Sequence, residues 1–70
     1  MKAAFNDHII TTRPVNTDGG AIAPAGTHGF VLRVIDDPDE RYIVELYIGD
    51  PQTTEETELS VLVPLDFEVA

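Results

Sequence analysis

The chain has 70 residues, and its 13 acidic and 4 basic side chains give a formal net charge of −9. It contains no cysteine, which excludes disulfide bonds and thiolate zinc sites and is typical of a reducing, cytoplasmic compartment. The sequence has no apolar run of about 18 residues and no signal-peptide pattern, so we expect no membrane span. The length predicts one domain, spanning residues 1–70.

The negative charge is concentrated in the second half of the chain. Residues 1–35 carry three basic and two acidic side chains, a net charge of +1, whereas residues 36–70 carry one basic and eleven acidic side chains, a net charge of −10. A half-chain of this charge repels nucleic-acid phosphates and anionic lipid, and it suits a basic partner. The alternative is an acidic surface that only keeps a small protein soluble.

Two strands are predicted in the first half of the chain. After a frayed start, His8–Arg13 has the β-branched composition of a strand and is bounded by turn residues. Pro24 predicts a turn, and Gly26 is placed to supply a positive φ within it. Phe30–Ile35 is the second predicted strand.

The strongest strand pattern in the sequence is Arg41–Ile48. Its side chains alternate between two faces, so one face belongs to the predicted core and the other carries Tyr47. The core face consists of Tyr42, Val44, Leu46 and Ile48. Phe30 and Phe67 are expected to join Tyr42 in that core.

The last third of the chain predicts two further strands after a polar segment. Residues 52–58 form a loop or one helical turn, and Leu59–Val63 is a strand whose alternate apolar residues share one face. Leu65–Val69 is an edge strand whose Asp66 and Glu68 point outward.

No window of the sequence shows the 3.6-residue apolar period of an amphipathic helix. Five short strands joined by turns that contain Gly and Pro are typical of a small antiparallel barrel or meander. The predicted fold class is therefore all-β, a small five-stranded antiparallel barrel with little or no helix.

Short motifs along most of the chain resemble a known family. They are D-H-I at Asp7–Ile9, A-P-A-G-T-x-G at Ala23–Gly29, V-L-R-V at Val31–Val34, Y-I-V-E-L at Tyr42–Leu46 and P-L-D-F-E at Pro64–Glu68. The chain resembles the short bacterial proteins of the family of unknown function numbered 4926. It is similar, more loosely, to the SH3-like barrel of nitrile hydratase β-subunits and their accessory proteins.

The resemblance implies an SH3-like barrel, and its motifs are structural rather than catalytic. Some family members are encoded beside toxin-like genes, which implies an antitoxin or immunity role. The looser similarity implies an accessory role in the assembly of a larger enzyme.

The residues predict no enzyme and no cofactor. The chain has no cysteine, and its one serine, Ser60, lies inside a predicted strand, so no nucleophile with a neighbouring base is evident. Asp7, His8 and His28 form a metal candidate if the first strand meets the turn before the second. Ordinary surface histidines are the favoured interpretation, and no metal is predicted.

Other binding motifs are also excluded by residue type. The acidic run Asp36–Glu40 lacks the central glycine of an EF-hand loop, and the glycine-containing segments match no phosphate-binding loop. Four basic residues and five aromatic ones are too few for a basic groove interleaved with aromatic side chains, so no direct nucleic-acid binding is expected.

The favoured hypothesis is a non-enzymatic acidic module that binds a protein with a basic surface and neutralises it as an antitoxin, immunity protein or inhibitor. Complementary charge would speed that association. The predicted partner-binding residues are Asp36, Asp37, Asp39, Glu40, Tyr47, Glu55, Glu56 and Glu58. The alternatives are an accessory subunit of a larger enzyme complex and a homo-oligomer, such as a homodimer, whose exposed strand edges pair.

Overall fold

A computed structural model describes residues 1–49 and 56–70 of the chain. The described residues form seven strands and one 3-10 turn. These are β1 (His8–Thr11), β2 (Val15–Asn16), β3 (Ile22–Ala23), β4 (His28–Ile35), β5 (Arg41–Ile48), β6 (Glu56–Leu62), the 3-10 turn (Pro64–Asp66) and β7 (Phe67–Val69). Within those two ranges, no helix has the length and apolar character needed to cross a membrane.

Five of the strands form one antiparallel sheet in the order β6-β5-β4-β1-β7. Strands β2 and β3 form a separate two-stranded ribbon within the connection between β1 and β4. This arrangement confirms the predicted all-β fold class, with a five-stranded antiparallel sheet and little helix. Each of the five predicted strands corresponds to one strand of the main sheet.

Strand β5 lies inside the sheet and provides the centre of the core. Tyr42, Val44 and Leu46 are fully buried, as their alternation predicts. Val31 lies beside Val44 on the neighbouring strand β4 and belongs to the same buried cluster. Phe67 from β7 joins the cluster, and its ring packs edge-on against Tyr42 at 5.0 Å between centroids. Phe30, in contrast, is only half-buried and lies on the other face of the sheet.

Strand β6 begins earlier than predicted, at Glu56, and its inward face is the less apolar one. Ser60 lies opposite Val44 and Leu62 lies opposite Tyr42, so these two side chains point into the core. The buried Ser60 hydroxyl donates a hydrogen bond to the Asn16 carbonyl at 2.5 Å, which satisfies a polar group inside the fold. The alternate apolar residues of this strand therefore face outward.

The prediction of a strand from residue 65 is wrong, because Pro64–Asp66 forms a 3-10 turn and the strand begins at Phe67. The expectation that Asp66 points freely outward is also wrong. Its carboxylate accepts hydrogen bonds from the Val63 backbone N–H at 2.9 Å and from Arg13 Nε at 2.6 Å. A short aspartate side chain closes the turn by bonding to nearby backbone, which competes with extension as a strand.

The start of the chain is held against the sheet rather than frayed. The Lys2 backbone N–H donates to the Tyr42 hydroxyl at 2.8 Å, and Lys2 Nζ donates to the carbonyls of Pro64 and Phe67 at 2.6 and 2.5 Å. The Tyr42 hydroxyl in turn donates to the Glu40 carboxylate. Tyr42 thus joins the N-terminal segment to the core.

Substitution Tyr42→Phe tests this junction. It removes the acceptor for the Lys2 N–H and the donor to Glu40 without removing the buried ring, so we expect the free energy of unfolding to fall by about 1–3 kcal/mol. Urea denaturation measures the change. Tyr47→Phe is the matched control, since within residues 1–49 and 56–70 its hydroxyl makes no hydrogen bond, and its expected effect is under about 0.5 kcal/mol. Equal losses in the two variants would contradict the assignment.

Candidate functional site

The predicted acidic binding residues lie at two opposite ends of the sheet. Asp36, Asp37, Asp39 and Glu40 occupy the connection between β4 and β5. Glu56 lies opposite Ile48 and Glu58 lies opposite Leu46, at the far end of β5. That strand has eight residues, a length of about 23 Å at the usual rise per residue. The acidic residues therefore do not form one surface, and Glu55 lies outside the described residues.

The connection between β4 and β5 is itself divided into exposed and internally bonded carboxylates. Asp36 and Asp37 are exposed, and Asp39 lies 3.8 Å from the Arg41 guanidinium. Glu40 accepts hydrogen bonds from the Tyr42 hydroxyl and from the Lys2 backbone N–H. The Tyr42 hydrogen bond, followed by that of Lys2, lowers the pKa of Glu40. Glu40 thus stabilises the fold and is not available to a partner in the way that Asp36 is.

Glu58 is likewise bonded within the chain. Its side chain is half-buried, and one carboxylate oxygen accepts a hydrogen bond from Thr17 Oγ1 at 3.0 Å. The carboxylate also packs on Gly19, where the space for a Cβ atom is already filled by it. This contact anchors the tip of the β2–β3 ribbon to β6.

Tyr47 and Glu56 are the predicted residues that the fold does bring together. Tyr47 packs edge-on against Phe30, with ring centroids 5.8 Å apart, and remains 36% exposed. Tyr47 and Glu56 line an open groove of about 380 Å³. The other residues that line it are Pro24, Gly26, Thr27, His28, Ile48 and Gly49. Gly26 has the predicted positive φ, at 90°, and bends the chain into this groove.

Beside the groove, the outward side of the main sheet carries a row of apolar residues. We use the name outer sheet face for Phe30, Ile43, Glu45, Tyr47, Leu59 and Val61. Leu59 and Val61 are 44% and 55% exposed. They lie opposite Glu45 and Ile43, and Glu45 lies opposite Phe30, so these residues are direct neighbours across three strands.

Sequence reasoning did not place Leu59 and Val61 on this face. The sequence does carry one indication of this orientation, because Ser60 and Leu62 alternate with Leu59 and Val61 and can form the inward pair of the same strand. Both faces of the strand carry apolar residues, so the alternation alone does not choose between them.

Two of the three residues in the metal candidate do meet. His8 Nε2 lies 2.8 Å from His28 Nδ1. Asp7 turns away, and its carboxylate accepts a hydrogen bond from the Ala4 backbone N–H at 2.8 Å. Among the described residues, no group of three or more acidic or histidine side chains is arranged to hold a metal ion.

Comparison with known proteins yields no relative. No family model matches the chain, and neither a curated protein nor a solved structure matches it. The resemblance to the family numbered 4926 and to nitrile hydratase β-subunits therefore stays a prediction.

Alanine substitutions on one strand test which face of β6 is outward. Leu62→Ala removes a fully buried side chain, and we expect the free energy of unfolding to fall by about 2–5 kcal/mol. Leu59→Ala removes an exposed one, with an expected loss below about 1 kcal/mol. Urea or thermal denaturation checks both, and a larger loss from Leu59→Ala would mean that the register of β6 is wrong.

The Glu40–Tyr42 hydrogen bond predicts a pH dependence of stability. The pKa of Glu40 is lower in the folded chain than its ordinary value of 4.5, so its contribution is present above that value and is lost as pH falls through the folded pKa. We expect the stability advantage of the wild type over Glu40→Gln to shrink between about pH 6 and pH 3. Urea midpoints across that range measure it.

The variant Asp36→Asn is the control for this pH experiment, because it removes one exposed carboxylate from the same connection. An advantage over Glu40→Gln that stays constant as pH falls would contradict the assignment. At the alkaline end the sign reverses. Burial, followed by the hydrogen bond to Glu40, raises the pKa of Tyr42, so its contribution is lost as pH rises through that pKa.

Proposed function

We propose that this chain is a non-enzymatic protein-binding module that docks through the outer sheet face on a partner with a basic surface. The observation that carries the proposal is the exposure of Leu59 and Val61 beside Tyr47 on one side of the sheet. Contiguous exposed apolar surface on a small protein marks an interaction site more often than isolated exposed residues do.

The composition of the outer sheet face suits a protein partner. Leu59 and Val61 supply exposed apolar surface, and Glu45 places one carboxylate between Phe30 and Leu59 across the three strands. Interfaces commonly combine an apolar centre with a polar rim, and tyrosine is a frequent anchor within them. Tyr47 is held against Phe30, so little side-chain freedom is lost when a partner covers it.

The charge of the chain indicates which partner fits. Within residues 1–49 and 56–70, three of the four basic side chains lie close to carboxylates: Lys2 to Glu68 at 3.4 Å, Arg13 to Asp66 at 2.6 Å and Arg41 to Asp39 at 3.8 Å. Most of the remaining charged side chains are carboxylates, and the net charge of the chain is −9. A basic protein is attracted by that field, whereas a second copy of the chain brings another −9 and is repelled.

The state of the one serine supports a non-enzymatic role. Ser60 is buried, and its hydroxyl is used in the hydrogen bond to the Asn16 carbonyl. A nucleophile must reach a substrate and lie beside a base, and Ser60 does neither. Neutralisation of the partner, as in an antitoxin or immunity pair, is the role that the family resemblance adds to this proposal.

Paired baits test the proposal. The wild type, an outer-face variant (Leu59→Ser with Val61→Thr) and a control variant (Asp36→Asn with Asp37→Asn) are immobilised and exposed to host lysate at low salt. We expect one basic protein to bind the wild type and the control but to bind the outer-face variant at least tenfold more weakly. Raised salt should release it, because screening weakens the attraction.

Purification of the captured protein then allows its affinity for all three baits to be measured by calorimetry. Equal affinity for the wild type and the outer-face variant would overturn the docking surface. Absence of any captured basic protein would overturn the proposed function. Self-association of the chain by sedimentation would favour the homo-oligomer, and capture of an enzyme subunit without a basic surface would favour the accessory role.

A further inference from the structure

His8 and His28 meet edge to edge on the outward side of the sheet, beside Phe30. Their nearest nitrogens, Nε2 and Nδ1, are 2.8 Å apart, and the ring centroids are 5.0 Å apart at an interplanar angle of 28°. The distance between the ring centroids is longer than the distance between the two nitrogens by about the sum of the two ring radii. The two nitrogens therefore face each other along the line between the rings.

Such a pair of neutral imidazoles shares one proton, because one nitrogen donates it and the other accepts it. A metal cation can take the place of that proton, since each nitrogen then offers a lone pair to the same point. Two Zn–N bonds of about 2.0–2.1 Å in tetrahedral geometry place the nitrogens about 3.3 Å apart. Small side-chain rotations that move the nitrogens apart by about half an ångström supply this geometry.

We propose that His8 and His28 form a two-imidazole binding site for a divalent first-row transition-metal cation of the class that prefers nitrogen ligands. Zn²⁺, Cu²⁺ and Ni²⁺ belong to this class, whereas Mg²⁺ and Ca²⁺ prefer oxygen ligands. The net charge of −9 raises the local concentration of cations around the chain.

The fold holds the two rings in place before any cation binds. His8 lies opposite Phe30 in the pairing of β1 with β4, and His28 lies opposite Ile10, so both side chains leave neighbouring strands on the same face. The His8 ring also stacks on Phe30, with centroids 5.2 Å apart, and Phe30 packs edge-on against Tyr47. This support reduces the entropy that the rings lose on binding.

The chain supplies two ligands and leaves the remaining coordination positions open. Asp7, the nearest carboxylate in sequence, is bonded to the Ala4 N–H, and the described residues provide no third ligand. The site differs in this respect from a closed structural zinc site, which has four protein ligands. Water or a donor group from a bound molecule would complete the coordination.

The test is a titration of the full chain with Zn²⁺ alone, followed by NMR of the histidine ring resonances and by calorimetry. We expect both rings to shift together and to saturate at one equivalent, with a dissociation constant below about 1 mM. Either His8→Gln or His28→Gln should weaken binding at least tenfold. Cu²⁺ should bind more tightly than Zn²⁺, and Mg²⁺ should not shift either ring.

Asp7→Asn is the matched control, because it keeps an acceptor for the Ala4 N–H beside the site, and we expect it to bind Zn²⁺ like the wild type. The outer-face variant should also bind Zn²⁺ normally, so this result is independent of the proposed function. A shift of one ring only, or no saturable shift of either, would overturn the proposal. Retention of wild-type affinity by both single histidine variants would overturn it as well. The joint, saturable shift of both histidine rings in the wild type tests the proposal even where a variant fails to fold.

Discussion

Strand β5 is paired on both sides over nearly its whole length, with Val31 opposite Val44 on β4 and Ser60 opposite Val44 on β6. Because side chains alternate between the two faces of a strand, this register decides which residues of three strands are buried. A shift of one residue would expose Tyr42 and bury Glu45. The core, the outer sheet face and the position of both acidic groups all depend on it.

Polar contacts at the margins of the sheet complete a core that is small for an independent domain. Lys2 binds the carbonyls beside β7, Arg13 binds Asp66 in the 3-10 turn, and Thr17 binds Glu58 on β6. These contacts attach the N-terminal segment, the turn and the ribbon to the main sheet. The same contacts engage the cationic side chains of Lys2 and Arg13 with groups of the chain itself. Carboxylates therefore dominate the charge that a partner meets.

The two proposed sites share one structural origin. The outer sheet face and the histidine pair both consist of side chains that leave β1, β4, β5 and β6 on the side away from the core. Phe30 connects them, because it stacks on His8 and packs against Tyr47. A molecule bound on the apolar face would therefore lie near the open coordination positions of the imidazole pair.

The sequence by itself determined the all-β class, the five strands and the inward face of β5. Strict alternation in Arg41–Ile48 allows one arrangement, since only one of its faces is wholly apolar. From the net charge, the sequence also predicts that the chain has no nucleic-acid groove. These properties are local or additive, so they do not depend on which strands become neighbours.

Only the tertiary structure decided the composition of the sites. Both faces of β6 carry apolar residues, so pairing with β5 was needed to place Leu59 and Val61 outside. The two acidic runs of the sequence, on either side of β5, could have met on one surface, yet the extended β5 places them at opposite ends of the sheet. His8 and His28 are twenty positions apart, and they meet because the ribbon between them lets β1 and β4 pair in one register. Contacts of this kind depend on long-range pairing, which the spacing of residues along a chain does not specify.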